Sequence, residues 1–136
     1  MIDKEIIKIA SNTENHGVLD KHTHFSKLKN AICGDEMKIY LIIKNDKIEN
    51  FKYECESCIY CQASVSLLSR KAKNILIEKV KNFAQQANSY FDKNKNSFDK
   101  EWKEFDKIMN KNNISRKECL LLPVNTTLDA LNKKSS

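Results

Sequence analysis

The chain has 136 residues, 40% of them hydrophobic and 31% charged, and its 24 basic and 18 acidic side chains leave a net charge of +6. That length holds one hydrophobic core and is short for two, so the expected organisation is a single domain over residues 1–136. No apolar run matches a bilayer span, and Met1-Ile2-Asp3-Lys4-Glu5 lacks the basic-then-apolar layout of a secretory signal, which predicts a cytoplasmic protein without a membrane partner.

In chain order, Ile6, Ile7 and Ala10 sit at helical spacing and predict a short helix over residues 3–10, ended by turn formers from Ser11 to Gly17. His22 to Leu28 alternates weakly and is expected as an edge strand. Met37, Ile39, Leu41 and Ile43 alternate with polar neighbours from Glu36 to Lys44, with Ile42 out of phase. Asn45-Asp46 then supplies a turn into a second alternating run, Ile48 to Tyr53. After Cys58 the period becomes helical, with Ala63, Leu67, Leu68 and Ala72 on one stripe, followed by a helix over Ile75–Phe91. A polar break from Asp92 to Asn96 separates it from Phe98, Trp102, Phe105 and Met109, which repeat the 3.6-residue period. The last helix is expected to start near Cys119 and run to Leu131, with Pro123 in its first turn, before a frayed Lys133-Lys134-Ser135-Ser136. The fold class is α+β: about three antiparallel strands packed against helices.

Five cysteines in a reducing compartment point to metal binding or thiol chemistry rather than disulfides. Cys33-Gly34-Asp35 places a thiol and a carboxylate two residues apart on a glycine-hinged loop. Cys58 stands where a helix dipole favours a thiolate, and Cys119 is expected in the equivalent place before the final helix. Converged at one end of the domain, these four would form a Cys3Asp tetrahedron. Spacing alone fits equally well with small, buried, inert thiols. Cys55-x-x-Cys58-x-x-Cys61 has the look of a zinc knuckle but lacks the second pair a knuckle needs, so Cys55 and Cys61 are read as accessory or structural. His16, His22 and His24 are further candidate ligands, the last two expected on one side of a strand; solvated positions explain them as well. Two glycines exclude a phosphate-cradling loop, and there is no Ser/His/Asp constellation. With Arg70 and Arg116 the only arginines, the residue best suited to guanine or phosphate contacts is scarce, and nucleic acid is not the expected partner.

Around these cysteines the chain resembles the iron-sulfur cluster assembly scaffolds IscU, SufU and the N-terminal domain of NifU. Asn12, Asn15, Gly17 and Leu19 match the family's Asn-Pro-x-Asn-x-Gly-x-Leu, with Thr13 replacing the proline. Cys33-Gly34-Asp35 matches its Cys-Gly-Asp. Cys58 followed by Ala63-Ser64-Val65-Ser66 matches its second cysteine and Ala-Ser-x-Ser helix, and Arg116-Lys117-Glu118-Cys119 with Leu122 matches the SufU form of the third site. Residues 5–72 carry the resemblance well, 114–131 less fully, and the middle by length and helical character only. The long interval from Cys58 to Cys119 is closer to SufU than to IscU, which makes 73–113 a SufU-length helical insertion. Glu118 stands where IscU has a histidine, and Leu122-Pro123-Val124 follows the cysteine, whereas the IscU chaperone-binding sequence precedes it.

The resemblance implies a SufU/IscU-like fold and a site of Cys33, Asp35, Cys58 and Cys119 holding Zn2+, iron or a [2Fe-2S] cluster. It implies a scaffold that accepts persulfide sulfur from a cysteine desulfurase on Cys33, or alternatively Cys119, and serves apo iron-sulfur acceptor proteins. The zinc-bound form of the same reading is a sulfur-transfer partner. The competing reading from the residues is a zinc-stabilised basic module, built on Cys55, Cys58 and Cys61, that binds nucleic acid or protein without sulfur chemistry.

Overall fold

The computed structural model describes residues 3–31, 34–93 and 98–133. Cys33, residues 94–97 of the expected polar break and residues 134–136 of the expected frayed end lie outside them. The elements are α1 (Lys4–Ala10), β1 (His24–Lys29), β2 (Glu36–Lys44), β3 (Lys47–Glu56), α2 (Ile59–Ala72), α3 (Ile77–Lys93), 3-10 segments at Lys100–Lys107 and Lys111–Arg116, and α4 (Lys117–Leu131). The architecture is α+β, as expected, with a three-stranded antiparallel sheet in the order β1-β2-β3.

Asn45 and Asp46 both adopt positive φ, 54° and 61°, the two-residue turn whose twist matches a hairpin, and short polar side chains tolerate that conformation. In the register, Ile39 faces Tyr53 and Leu41 faces Phe51, but Ile43 faces Ile48, so β3 carries an extra residue between Ile42 and Ile43 of its partner. The bulge is why Ile42 falls out of phase while Ile43 and Ile48 pair. Met37, Ile39, Leu41, Ile48, Phe51 and Tyr53 are buried on one face, which α2 and α4 cover.

β3 has no fourth strand on its outer edge, and unpaired edges invite aggregation. At one end Gly17 N–H donates to the Tyr53 carbonyl (2.8 Å) and Tyr53 N–H to that of Asn15 (3.2 Å). At the other, Ile48 N–H donates to Ile75 and Asn74 N–H to Ile48. Gly17 takes φ of 146°, which a side chain rarely adopts. Buried Asn15 then donates from Nδ2 to Ser69 Oγ (3.0 Å) and accepts from Lys73 Nζ.

α2 is the central helix and is buried on nearly every side. Small hydroxyls make that tolerable: Ser64 Oγ donates to the Leu120 carbonyl of α4 (2.7 Å) and Ser66 Oγ to the Asn12 carbonyl beyond α1 (2.6 Å). The Ala-Ser-x-Ser stretch is thus a close-packing face with its polar atoms satisfied.

Three expectations change. Phe98 to Met109 is a 3-10 segment rather than an α-helix: Trp102, Phe105 and Ile108, all buried, repeat at three residues, the period of a 3-10 helix. Trp102 stacks on Phe83 at 4.3 Å between centroids, a contact worth about 0.5–1.5 kcal/mol beyond its burial. α4 begins at Lys117, which puts Cys119 inside its first turn rather than before it. Pro123 is therefore interior to α4, where its ring nitrogen gives the Cys119 carbonyl no N–H. Neighbouring α4 carbonyls take side-chain donors instead, Leu120 from Ser64 and Leu122 from Thr126. Among the described residues no helix is long and apolar enough to cross a membrane.

Candidate metal centre

The loop from β1 to β2 is closed by its own backbone. Gly34 N–H donates to the Asn30 carbonyl and Asn30 N–H to the Asp35 carbonyl, each at 2.7 Å. Gly34 has φ of 72°, and a Cβ there would meet nothing within 4 Å, so glycine is required for conformation and not for space. This closure aims Asp35 at the start of α2. Asp35 Oδ1 accepts the Cys58 N–H at 3.3 Å, and Cys58 is the N-cap of α2 in an extended conformation. Cys119 reaches the same place from the first turn of α4.

Asp35, Cys58 and Cys119 each bring one ligand atom into a group in which all lie within 4.8 Å of one another. With a Zn–S bond of about 2.3 Å, the edge of a tetrahedral site is about 3.8 Å, so the group needs only a small contraction to close on an ion. Asp35 is 6% exposed, and its Oδ2 is buried without a hydrogen-bond partner. A carboxylate oxygen left in that state is costly in isolation and satisfied by a cation. The two helix starts place the positive ends of their dipoles at the thiols, which favours thiolates. Two soft donors and one hard donor suit zinc or iron.

Cys33, the fourth expected ligand, lies outside the described residues. Cys55 and Cys61 do not belong to the group. Cys61 is fully buried in the first turn of α2, and Cys55 is half-buried opposite Met37 on the inner face of the sheet. Burial pushes both thiols up, and the nearby charges of Asp35 and Cys58 add to this; the Ser57 hydroxyl, set against both, works in the opposite direction.

The histidines are dispersed. Exposed His16 sits edge-on to Tyr53. His22 Nδ1 is 2.8 Å from the Leu19 carbonyl and the ring packs on Phe25 and Tyr40. His24, opposite Leu41, bonds Thr23 Oγ1 and is held below the usual histidine range by burial. His22 and His24 therefore do not share a face, because His22 precedes β1 and turns onto the Tyr40 side. Tyr60 was not singled out by sequence: it lies two residues after Cys58 and carries the Arg116 guanidinium 5.3 Å above its ring. Both line a polar cleft of 430 Å³. A tyrosine on the polar side of a helix gives no sequence signal for such a contact.

Residues 1–93 match the family described as NifU-like N terminal domain. A Thermotoga maritima relative, named iron-sulfur cluster assembly scaffold protein IscU, is 27% identical over 136 residues and covers 99% of this chain and 95% of its own. An uncharacterized protein of Borreliella burgdorferi is 29% identical over 129 residues, covering 94% and 87%. Among solved structures, a SufU of Fervidobacterium islandicum, described as a cluster assembly scaffold for the SUF system, has a TM-score of 0.88 at 23% identity, with 96% of each chain covered. A NifU-like N-terminal structure from Brucella abortus has a TM-score of 0.86 at 18% identity, covering 95% and 90%. The fold is shared with both structures and the family match spans more than half of the sequence: the chain belongs to the NifU-like N-terminal domain family.

Proposed function

We propose that the protein is an iron-sulfur cluster assembly scaffold whose site is Cys33, Asp35, Cys58 and Cys119. The observation that carries this reading is the convergence of Asp35, Cys58 and Cys119 within 4.8 Å from three separate elements. Iron and sulfur are cargo here: the thiolates hold iron, and sulfur arrives as a persulfide from a cysteine desulfurase, with Cys33 as acceptor and Cys119 as the alternative. Finished clusters pass to apo iron-sulfur proteins. Asp35 suits this work because a carboxylate is a harder, weaker ligand for a soft metal than a fourth thiolate, and a scaffold must release what it builds.

The same donors fit zinc, which when bound keeps the thiols deprotonated. In that form the protein is a sulfur-transfer partner of the desulfurase, as the SufU-like length of 73–113, a helical insertion within a single domain of residues 1–136, suggests. The basic zinc module built on Cys55, Cys58 and Cys61 has less support, since among the described residues those three form no ligand group.

The test is metal analysis of the purified protein, followed by incubation with a cysteine desulfurase and cysteine. Bound zinc or iron that is lost on replacing Cys58 or Asp35, together with sulfur transfer onto a site cysteine, is expected. A protein that holds neither metal and takes no sulfur overturns the reading.

A further inference from the structure

A cluster contains sulfide, whereas a persulfide delivers sulfur two electrons more oxidised, so assembly needs a two-electron donor at the site. Cys55 and Cys61 are the thiols that the metal group leaves out. They flank one hydroxyl, Ser57, and burial followed by the charge of Cys55 weighs most on Cys61. Asp35 and Cys58 are close enough to act on both. Their accessibility differs in a useful way. Cys55 lines two clefts, of 410 and 180 Å³, which share His16, while Cys61 is fully buried behind it. One thiol is reachable, the other is held back, and both adjoin a site thiol.

We infer that Cys55 and Cys61 form an internal dithiol that reduces sulfane sulfur to sulfide beside the metal centre. The inference rests on the proposed sulfur-accepting role of that centre. Cys55 attacks the outer sulfur of a persulfide on a site cysteine; the sulfur–sulfur bond breaks, the site thiol is restored and Cys55 carries the persulfide. Cys61 then attacks Cys55 Sγ, forming the Cys55–Cys61 disulfide and expelling hydrogen sulfide. One persulfide and two thiols become one thiol, one disulfide and one hydrogen sulfide: the sulfane sulfur gains two electrons and the dithiol loses two. A dithiol reductant resets the pair for the next turnover.

The experiment is a single turnover without oxygen or added thiol. The full-length protein is charged by a cysteine desulfurase and cysteine, freed of both, and followed for sulfide release and by peptide mass mapping. Wild type is expected to release its sulfur as sulfide with a disulfide mapping to Cys55 and Cys61. Cys55→Ser and Cys61→Ala are each expected to retain the persulfide and release sulfide at least about tenfold more slowly, since each lacks one half of the exchange. Both variants should keep wild-type metal content. Cys55→Ser, at the half-buried position, tests the pair even where the buried Cys61 change disturbs folding. Sulfide release from either folded variant at the wild-type rate, a disulfide at another pair, or metal loss in Cys55→Ser would overturn the inference. A failure of the desulfurase to charge the protein counts against the proposed function alone. Charging with inorganic polysulfide then decides the dithiol by the same readouts.

Discussion

Replacing Asp35 by Asn separates the charge of this side chain from its shape. Asparagine can keep the acceptor for the Cys58 N–H while turning the partnerless, buried Oδ2 into a neutral amide. In the metal-free protein two terms compete. Burying an unpaired charged group costs about 1–3 kcal/mol or more, and the start of α2 returns about 0.3–1 kcal/mol of that to an anion. The burial cost wins, so metal-free Asp35→Asn should be more stable by about 1 kcal/mol, which for a chain of this size raises Tm by about 3 °C. In the metal-loaded protein the sign reverses. Losing an anionic ligand that weakens binding about 100-fold removes about 2.7 kcal/mol of linkage at saturating metal. The net is then about 2 kcal/mol of destabilisation and a Tm lower by about 6 °C. The assay is thermal unfolding of both proteins, with zinc and with a chelator. Shifts of the same sign in the two conditions would refute the argument that Asp35 is a metal ligand held at a cost to the empty fold.

Ser64→Ala should cost about 1–2 kcal/mol, because the Leu120 carbonyl loses its buried hydroxyl donor; urea unfolding measures this, and the metal should be retained. Ser64→Leu should cost about 1–3 kcal/mol or more by overpacking α2 against α4 and should also lower metal retention, since those helices carry Cys58 and Cys119. Gly34→Ala meets no clash, so its cost should be the conformational one of about 1–2 kcal/mol, read in the same titration. Tyr40 donates to Glu54 at 2.7 Å, and burial with that carboxylate pushes its hydroxyl from 10.0 to about 12. A raised folded value means stability that is complete below pH 10 and lost as the pH rises to about 12. Tyr40→Phe should flatten that alkaline decline and remove the ultraviolet tyrosinate step near its top.

The strands were legible because burial on one face forces alternation, and even the bulge left a mark in the misplaced Ile42. The hairpin turn was legible because Asn45-Asp46 tolerates two positive φ values. The Phe98–Met109 segment was not, since Phe98, Trp102, Phe105 and Met109 satisfy a 3.6-residue period as well as Trp102, Phe105 and Ile108 satisfy one of three. Pattern cannot choose between them; packing of Trp102 and Phe105 around Phe83 does. At the site, Asp35 and Cys58 could be read from the glycine-hinged loop and the helix start. That Cys55 and Cys61 stand beside the group rather than in it depends on the register of β3 and the first turn of α2, which spacing does not encode. The work of Ser64 was invisible for the same reason: its partner is the carbonyl of Leu120, 56 residues away.

Metal removal tests how the fold and the site relate. Small zinc domains unfold without their ion because they have little else to bury. Here the core runs from Ile6 to Leu131 and includes Phe51, Phe83 and Phe105 with almost no exposure, so the site is an attachment to a fold that stands without it. Chelation should leave the far-ultraviolet circular dichroism of the protein unchanged. It should lower Tm by roughly 10 °C, from the loss of about 2.7 kcal/mol when free metal falls from 100 times Kd to none. The drop should vanish in Cys58→Ser, which has little metal to lose. A chain that unfolds on chelation would mean that the three ligand-bearing elements are held together by the ion, and the packing of α2 on α4 through Ser64 would then be a consequence of metal binding rather than the scaffold for it.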